Sequence, residues 1–440
     1  MEGRVLIKDL HEYTDKEVLV YGWVDIRRDH GKLIFLDIRD RTGKVQAVAL
    51  PNNGDVVEKA DTVRPEYVIS VKAKVNKRPE KMVNANEQNG DIELELLELE
   101  SIAPAHELPF EKDADINIDT RFDYRPFTLR SERDQHIFKV QAAIAQAYRW
   151  SLIQQGFLEF QSPALVREDA EGGGAAFKLE YFYDQDAYLA TSPQLYKQIM
   201  VGAFERAFTV AKIFRAEKSA TTRHLSEITQ MDFEMGFIND ERDVLAVLEQ
   251  TVRDTINAVV ESHKDSFDAL GVEPPRLGKK FPILTLQEVF DIVGGEGDDL
   301  DPEHERAICE WSKKEHDCDF VFVTRFPTDA RAFYTMSENE SSTLSRGFDL
   351  LFKGLEINSG AQRIHDYDTL VTRIKDRGLD PEKFDFYLQG FKYGMPPHGG
   401  CSTGLERFTA RMLDLANVKE ASAFPRDLNR IDTLLRNEEE

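Results

Sequence analysis

Ala207 to Phe214 and Thr229 to Ile238 read as two neighbouring strands. Between them lies a charged loop that opens with Phe214-Arg215-Ala216-Glu217 and closes with Thr222-Arg223-His224-Leu225. Further strands at Phe320 to Phe326 and Phe348 to Ile357, mixed with helical patterns at Val244 to Val260 and Gly404 to Leu415, depart from regular βαβ alternation. The pattern predicts an α+β domain, an antiparallel sheet flanked by helices.

Upstream, His136 to Gln155 has apolar positions at helical spacing and leads through Gly156 into an apolar strand and Ser162-Pro163. From about Ser101 to Asp134 periodicity is lost, and Pro104, Pro109 and Pro126 recur among acidic and polar residues, which reads as a hinge and linker. Before it come five short strands: Glu17 to Val24, Leu33 to Ile38, Val45 to Ala49, Tyr67 to Val75 and Ile92 to Leu99. A helix-compatible stretch, Asp55 to Val63, separates the third from the fourth. Five strands with one helix at that point predict an oligonucleotide-binding barrel (OB-fold), whose strand 2 and 3 face takes single-stranded bases. On that face Phe35 and Gln46 are candidates for stacking and edge hydrogen bonding, with Arg28 beside them; the alternative for Phe35 is barrel core. The expected organisation is a barrel over residues 1–103, a hinge over 104–133 and a second domain over 134–440.

At 440 residues the chain has length for two or more domains and a substantial core. No stretch approaches the roughly 18 apolar residues of a spanning helix, and the N-terminus lacks the apolar core of a secretory signal, so a cytoplasmic location is expected. Three cysteines without paired spacing predict reduced thiols. A net charge of -24 argues against nonspecific coating of nucleic acid or membrane. The first 82 residues are about balanced, so the N-terminal segment either faces a polyanion or is a solvated mixed surface. The Gly172-Gly173-Gly174 run lacks the lysine of a phosphate loop and reads as a hinge for a mobile loop.

The charged groups fit activation of a carboxylate by ATP, an in-line attack at the α-phosphorus that needs cations on the developing charge and a divalent metal. Arg215 is a planar clamp suited to phosphate. Glu217, two residues on, would accept from the adenine amino group or orient the arginine. Arg223 and His224 would neutralise the β and γ phosphates. Asp349 and Glu356, seven apart across what reads as one strand, are candidate magnesium ligands. The odd separation puts them on opposite faces unless a bulge intervenes, and Glu356 with Ser359 is the preferred pair.

Together with Gly404-Leu405-Glu406-Arg407-Phe408 and Phe424-Pro425-Arg426, these residues resemble the class II aminoacyl-tRNA synthetases, within them the aspartyl branch of the short archaeal and eukaryotic type. The resemblance covers essentially the whole chain. It implies a homodimer through a first motif at His136 to Pro163, a second motif over Phe214 to Phe237, and a third at Gly404 to Phe408. By this likeness Leu225, Gly404, Leu405 and Glu406 join the ATP site, Arg407 stacks on adenine, and Arg215 and Arg407 are catalytic. Ser192-Pro193-Gln194-Leu195-Tyr196-Lys197-Gln198 is similar to the segment that reads aspartate through its glutamine and lysine. Glu356-Ile357-Asn358-Ser359-Gly360-Ala361-Gln362-Arg363 is similar to one whose final arginine binds the side-chain carboxylate. Two cations on one small pocket suit an anion, and an asparagine amide there leaves buried charge unpaired.

The likeness also implies that Glu171 lies on a loop closing over the substrate ammonium and that Tyr334 lines the pocket with Arg215 and Ser359. It implies Mg2+ as cofactor, and Phe35, Gln46 and Arg28 reading the anticodon. Ile228 stands where the family often places a phenylalanine against adenine. The expected reaction is aspartate-tRNA ligation on tRNA-Asp. The alternatives are an enzyme charging both tRNA-Asp and tRNA-Asn with aspartate, an asparaginyl enzyme, a tRNA-independent amide ligase, and a silent RNA-binding protein. Residues 271–317 carry no motif.

Overall fold

The computed structural model describes residues 3–31, 33–85, 87–112, 114–168, 176–218, 221–339 and 341–435. Its contacts divide the chain between Glu111 and Lys112 into two units.

In the first unit, strands β1 (Glu17–Asp29), β2 (Ile34–Asp40) and β3 (Gly43–Ala49) form a meander. Helix α1 (Gly54–Thr62) follows, then β4 (Val68–Lys77) and β5 (Ile92–Ala103). The barrel closes in the order β1-β2-β3-β5-β4, with β3 and β5 parallel. Alternation sets which face is inside: Val18, Val20 and Val24 of β1 point inward with Leu36, Ile38, Val71 and Leu94. Gly22 lies in the same strand because a Cβ there would sit 2.5 Å from the Arg39 carbonyl oxygen. The β2–β3 turn is tied by Asp40, whose Oδ1 accepts from the Thr42 amide at 2.7 Å and the Thr42 hydroxyl at 2.6 Å.

The second unit opens with two short helices, α2 (Ile118–Asp123) and α3 (Arg125–Thr128), inside the stretch expected to be hinge. Arg125 explains their attachment. Its buried guanidinium donates to Asp134 at 3.0 Å and to the Ala423 and Ser422 carbonyls at 2.7 and 3.0 Å. Ser131 caps α4 (Glu132–Gln154) by accepting from the Asp134 amide at 3.2 Å. Next come β6 (Leu158–Glu159) and a small antiparallel sheet of β7 (Leu165–Val166), β8 (Lys178–Tyr181) and β9 (Gln185–Leu189). Then follow α5 (Gln194–Phe204), β10 (Arg206–Phe214), β11 (Glu227–Gly236), α6 (Glu241–Ser262) and α7 (Lys264–Leu270). After these run β12 (Ile283–Thr285), α8 (Leu286–Val293), α9 (Pro302–His316), β13 (Phe320–Thr324), β14 (Gly347–Phe352), β15 (Leu355–Gln362), α10 (Tyr367–Asp376), α11 (Asp385–Lys392), β16 (His398–Gly404) and α12 (Leu405–Met412).

The large sheet runs β12-β13-β14-β15-β16-β11-β10-β6. Its centre is antiparallel, as the alternation predicts, and the edge pairs β12–β13 and β6–β10 are parallel, so the sheet is mixed. Met231, Phe233 and Met235 of β11 face the apolar core with α4, α6 and α12, where Phe320 stacks on Phe352 at 4.2 Å. The intervening positions Gln230, Asp232 and Glu234 are polar and buried on the opposite face. Phe348 to Ile357 is not one strand but the β14–β15 hairpin, turning at Lys353-Gly354 with both residues at positive φ. No helix among the described residues is long and apolar enough to cross a membrane.

Candidate active site

On that polar face a cleft of about 470 Å³ gathers residues far apart in the chain. The β10–β11 loop brings Arg215, Glu217, Arg223, His224 and Leu225, β15 brings Glu356 and Ser359, and the β16–α12 corner brings Gly404, Glu406 and Arg407. Gln194, Tyr334 and Arg363 line the same cavity.

One end is rich in guanidinium groups, each set against an acid. Arg215 lies 3.7 Å from Glu217, and Arg407 donates to the Glu356 carboxylate at 3.1 Å and its carbonyl at 3.0 Å. Arg223 pairs with Glu305 of α9. His224 Nδ1 lies 2.6 Å from the Thr221 hydroxyl. Burial and the neighbouring Arg407 depress the His224 imidazole below its ordinary value, so it is neutral at pH 7 and offers phosphate a hydrogen bond rather than a charge. Glu406 turns both oxygens to the Thr229 amide at 3.1 and 3.0 Å, tying α12 to β11. Leu405 points into the core with Phe408 and does not line the cleft. Ile228, which pairs with Ile213 of β10, supplies the cleft with an aliphatic wall.

At the other end α5 places Gln194, Lys197 and Gln198 on one face through i, i+3, i+4 spacing. Lys197 is 0% exposed and does not line the cleft; its ammonium donates to Asp232 at 2.9 Å and the Cys401 carbonyl at 3.0 Å, with Glu234 at 3.4 Å. Arg363 donates to Glu234 at 2.9 Å and to the Gly400 carbonyl at 2.8 Å, its guanidinium over the Tyr334 ring at 5.3 Å. Burial pushes Glu234 upward, but Arg363 and Lys197 outweigh it and hold the carboxyl below its usual range. Two buried carboxylates therefore already face the two cations, and the expectation of an uncompensated cationic pocket does not hold in that form. Beneath, Gln194 donates to Gln198 at 3.0 Å, and Gln198 donates to His398 at 2.8 Å while accepting from Tyr387 at 3.1 Å. Gln230 Oε1, Asp232 Oδ1 and Ser402 Oγ are buried without a hydrogen-bond partner, three atoms able to accept from a cationic ligand. Gly400 keeps the floor tight: a Cβ there would lie 2.3 Å from Glu234 Oε2 and 2.1 Å from the Phe233 carbonyl.

The expected metal ligands separate. Asp349 and Glu356 sit on adjacent strands, and a bulge in the β14–β15 pairing between Leu350 and Leu351 turns Glu356 and Ser359 to the same side despite their odd spacing. Asp349 has both oxygens in a bidentate pair with Arg331, at 3.0 and 2.7 Å, which takes it out of the ligand set as arranged here. Arg331 also donates to Ser359 Oγ at 3.2 Å and stacks over Phe326 at 3.7 Å. Burial, with Asp349 adding to it, raises Glu356 above the usual carboxylate range against the pull of Arg407. Among the described residues no three His, Cys, Asp or Glu side chains are grouped to hold a metal by themselves. One carboxylate and one hydroxyl facing a phosphate-sized cleft fit magnesium, which keeps waters and substrate phosphates in its shell.

Arg331, Gln230, Asp232, Glu234 and Ser402 escaped the reading of the sequence. The signal for the β11 set is the alternation Gln230-Met231-Asp232-Phe233-Glu234-Met235, polar side chains on every second position of a central strand. Glu171 and the triple glycine lie outside the described residues.

On the barrel, Arg28 donates to Asp37 at 2.7 Å and to Gln46 at 3.1 Å, and Phe35, across from Arg28 and half-buried, packs edge-on to His30 at 5.6 Å. Phe35 is thus on the outer face and is not core; the three residues form one surface. Asp25 occupies a bulge in β1 and is held by Arg39 at 3.3 Å and Lys44 at 3.0 Å.

Comparison with known proteins supplies a frame. A family of class II tRNA synthetases (D, K and N) matches residues 117–428, and an OB-fold nucleic acid binding domain matches residues 18–102. The chain is 42% identical over 437 residues to the aspartate–tRNA(Asp/Asn) ligase of Thermus thermophilus, covering 97% of this chain and 99% of that protein. It is 37% identical to the aspartate–tRNA(Asp) ligase of Pyrococcus horikoshii, covering 96% and 97%. Among solved structures it resembles asparaginyl-tRNA synthetase of Pyrococcus horikoshii complexed with asparaginyl-adenylate, with a TM-score of 0.88, 32% identity, and coverage of 98% of this chain and 100% of that one.

Proposed function

The chain belongs to the class II tRNA synthetases of the D, K and N group, it is an aspartate-tRNA ligase, and we propose the following division of labour within its cleft. L-Aspartate enters with its ammonium on Gln230, Asp232 and Ser402 and its side-chain carboxylate against Arg363, with Lys197 holding Asp232 and Glu234 from below. Arg215 bridges the α-carboxylate and the α-phosphate of ATP. Adenine lies between Arg407 and Ile228, with Glu217 accepting from its amino group, and Arg223 and His224 take the outer phosphates.

An α-carboxylate oxygen attacks the α-phosphorus, the bond to the bridging oxygen breaks, and pyrophosphate leaves. Arg215 meets the charge that develops, and losing such a donor costs about 10² to 10³ in rate. The tRNA 3′-terminal hydroxyl then attacks the carbonyl carbon and AMP departs. Glu356 and Ser359 would hold Mg2+, which when bound neutralises the phosphates. The observation that carries this reading is the cleft that joins the arginine-lined end to Gln194, Gln230, Arg363 and Ser402, with Arg363 tied to Glu234 and, through it, to the buried Lys197-Asp232 pair.

Donor chemistry at Arg363 favours aspartate over asparagine. Its guanidinium presents only N–H donors, which a side-chain carboxylate accepts through either oxygen, whereas the amide NH2 of asparagine would set donor against donor. We further propose that Phe35, Gln46 and Arg28 read the anticodon, that the protein works in the cytoplasm, and that it is a homodimer. The dimer is supported by exposed Trp150 and Ile153 on α4 and Leu158 on the edge strand β6. Labelled aspartate with transcribed tRNA-Asp and tRNA-Asn tests the function: no charging of tRNA-Asp refutes it, and charging of both marks a dual-specificity enzyme.

A further inference from the structure

Residues 271–317 have no motif, yet helix α9 within them reaches the phosphate end of the cleft. Asp301 caps this helix by accepting from the Glu303 and His304 amides at 2.8 and 2.9 Å, which sets Glu305 in the first turn. Glu305 is 8% exposed and ion-pairs with Arg223, whose other terminal nitrogen donates to the Gly354 carbonyl at 3.2 Å in the β14–β15 turn. The cleft arginine is thus anchored at two points outside its own loop.

The surroundings explain why an anchor is needed. Arg411 on α12 is a further cation at this corner: burial and then the charge of Arg223 lower its pKa, and its Nε is buried without a partner. His224, next in sequence, feels Arg407, Arg215 and Arg223 together. Without an acid beside it, the Arg223 guanidinium would be driven by these like charges toward solvent, and its long side chain has ample rotamer freedom to go.

We propose that Glu305 is a positioning residue that holds Arg223 at the mouth of the cleft, ready for the outer phosphates of ATP before nucleotide arrives. The inference rests on the reading of Arg223 given above. It assigns a task to α9 and makes a directional claim. Losing the anchor should weaken only ligands that carry the outer phosphates, which are ATP in the forward direction and pyrophosphate in the reverse. In the placement proposed above, aspartate contacts neither residue.

Aspartate-dependent pyrophosphate exchange on the full chain tests it, with Glu305→Gln, Glu305→Asp, Arg223→Met and the Glu305→Gln/Arg223→Met pair. Glu305→Gln should raise KM for ATP and for pyrophosphate about tenfold, the scale of one charged hydrogen bond, and leave KM for aspartate unchanged. Glu305→Asp, which keeps the charge, should recover part of the loss, and the double variant should be no worse than Arg223→Met alone. Equal rises in KM for ATP and aspartate would overturn the proposal in favour of a merely structural role. A fall in KM for ATP would overturn it too, since the carboxylate would then be a competitor for Arg223. If Arg223→Met weakens ATP while Glu305→Gln does not, this inference alone fails. If Arg223→Met leaves ATP and pyrophosphate untouched, the reading of Arg223 fails and takes the inference with it.

Discussion

Replacing Lys197 by methionine removes the one cation that serves Asp232 and Glu234 from beneath, at 2.9 and 3.4 Å, in a place with no solvent access. The thioether fills much of the same volume, so the change is electrostatic rather than a cavity. Glu234 keeps Arg363 at 2.9 Å. Among the described residues Asp232 keeps no cation: its Oδ2 loses the ammonium, and its Oδ1 is already without a partner. Breaking a buried pair from one side costs about 3–5 kcal/mol, a large part of a typical total stability, so the second unit should unfold several degrees lower. The aspartate site also loses the geometry of its ammonium acceptors, and kcat/KM for aspartate in pyrophosphate exchange should fall by at least roughly 10²-fold. Adding Asp232→Asn removes the stranded charge, so the double variant should regain most of the stability and none of the activity. A Lys197→Met protein that melts with the wild type and keeps its KM for aspartate would refute the assignment of this network to both fold and substrate.

Gly400→Ala should disturb the same site through sterics, since the new methyl would lie 2.3 Å from Glu234 Oε2; aspartate-dependent exchange should drop about a hundredfold, the scale of an ångström misplacement, and unchanged exchange would refute the tight floor. Phe35→Ala should leave exchange untouched and weaken tRNA by roughly 5- to 150-fold, as expected for one lost stacking contact of about 1–3 kcal/mol, read by filter binding. His398, 0% exposed, is pushed down to about 4 by burial. Its folded pKa lies below the unfolded value, so the stability it preserves is complete above about pH 6.5 and is lost as pH falls toward 4. The loss should approach roughly 3 kcal/mol, and in denaturant melts His398→Gln should show a shallower decline over that window than the wild type.

The barrel was legible nearly residue by residue because its strands alternate cleanly and its helix follows a turn signal; β1 runs five residues past the expected Val24, to Asp29. The β14–β15 hairpin was not, because Phe348 to Ile357 is dominated by strand-forming apolar residues, and the turn needs only Lys353 and Gly354 in the left-handed region. Residues 118–131 were read as linker because short helices without an apolar stripe carry no period. What fixes them is a long-range bond network from Arg125 to Ser422 and Ala423. Arg215, Arg223, Arg363, Arg407 and Glu356 were readable from local segments, whereas Arg331 was not. Asp232 and Glu234 were not weighed, since a carboxylate on a central strand acquires meaning only when its cross-chain partner, Lys197 or Arg363, is known.

That last point generalises within this cleft. Arg215 is set against Glu217, Arg223 against Glu305, Arg331 against Asp349, Arg363 against Glu234 and Arg407 against Glu356. Four of these five acids come from outside the segment that holds their arginine, and one, Glu305, lies on an element that carried no expected role. A desolvated guanidinium without a counter-ion costs several kcal/mol, so a site built to receive triphosphate must neutralise itself while empty. Binding then brings phosphate oxygens to guanidinium groups that a carboxylate already holds and partly neutralises, at lower net desolvation than a lone cation would face. The acids are therefore as much a part of the nucleotide site as the arginines, and a reading that looks only for cations on a phosphate path finds half of it.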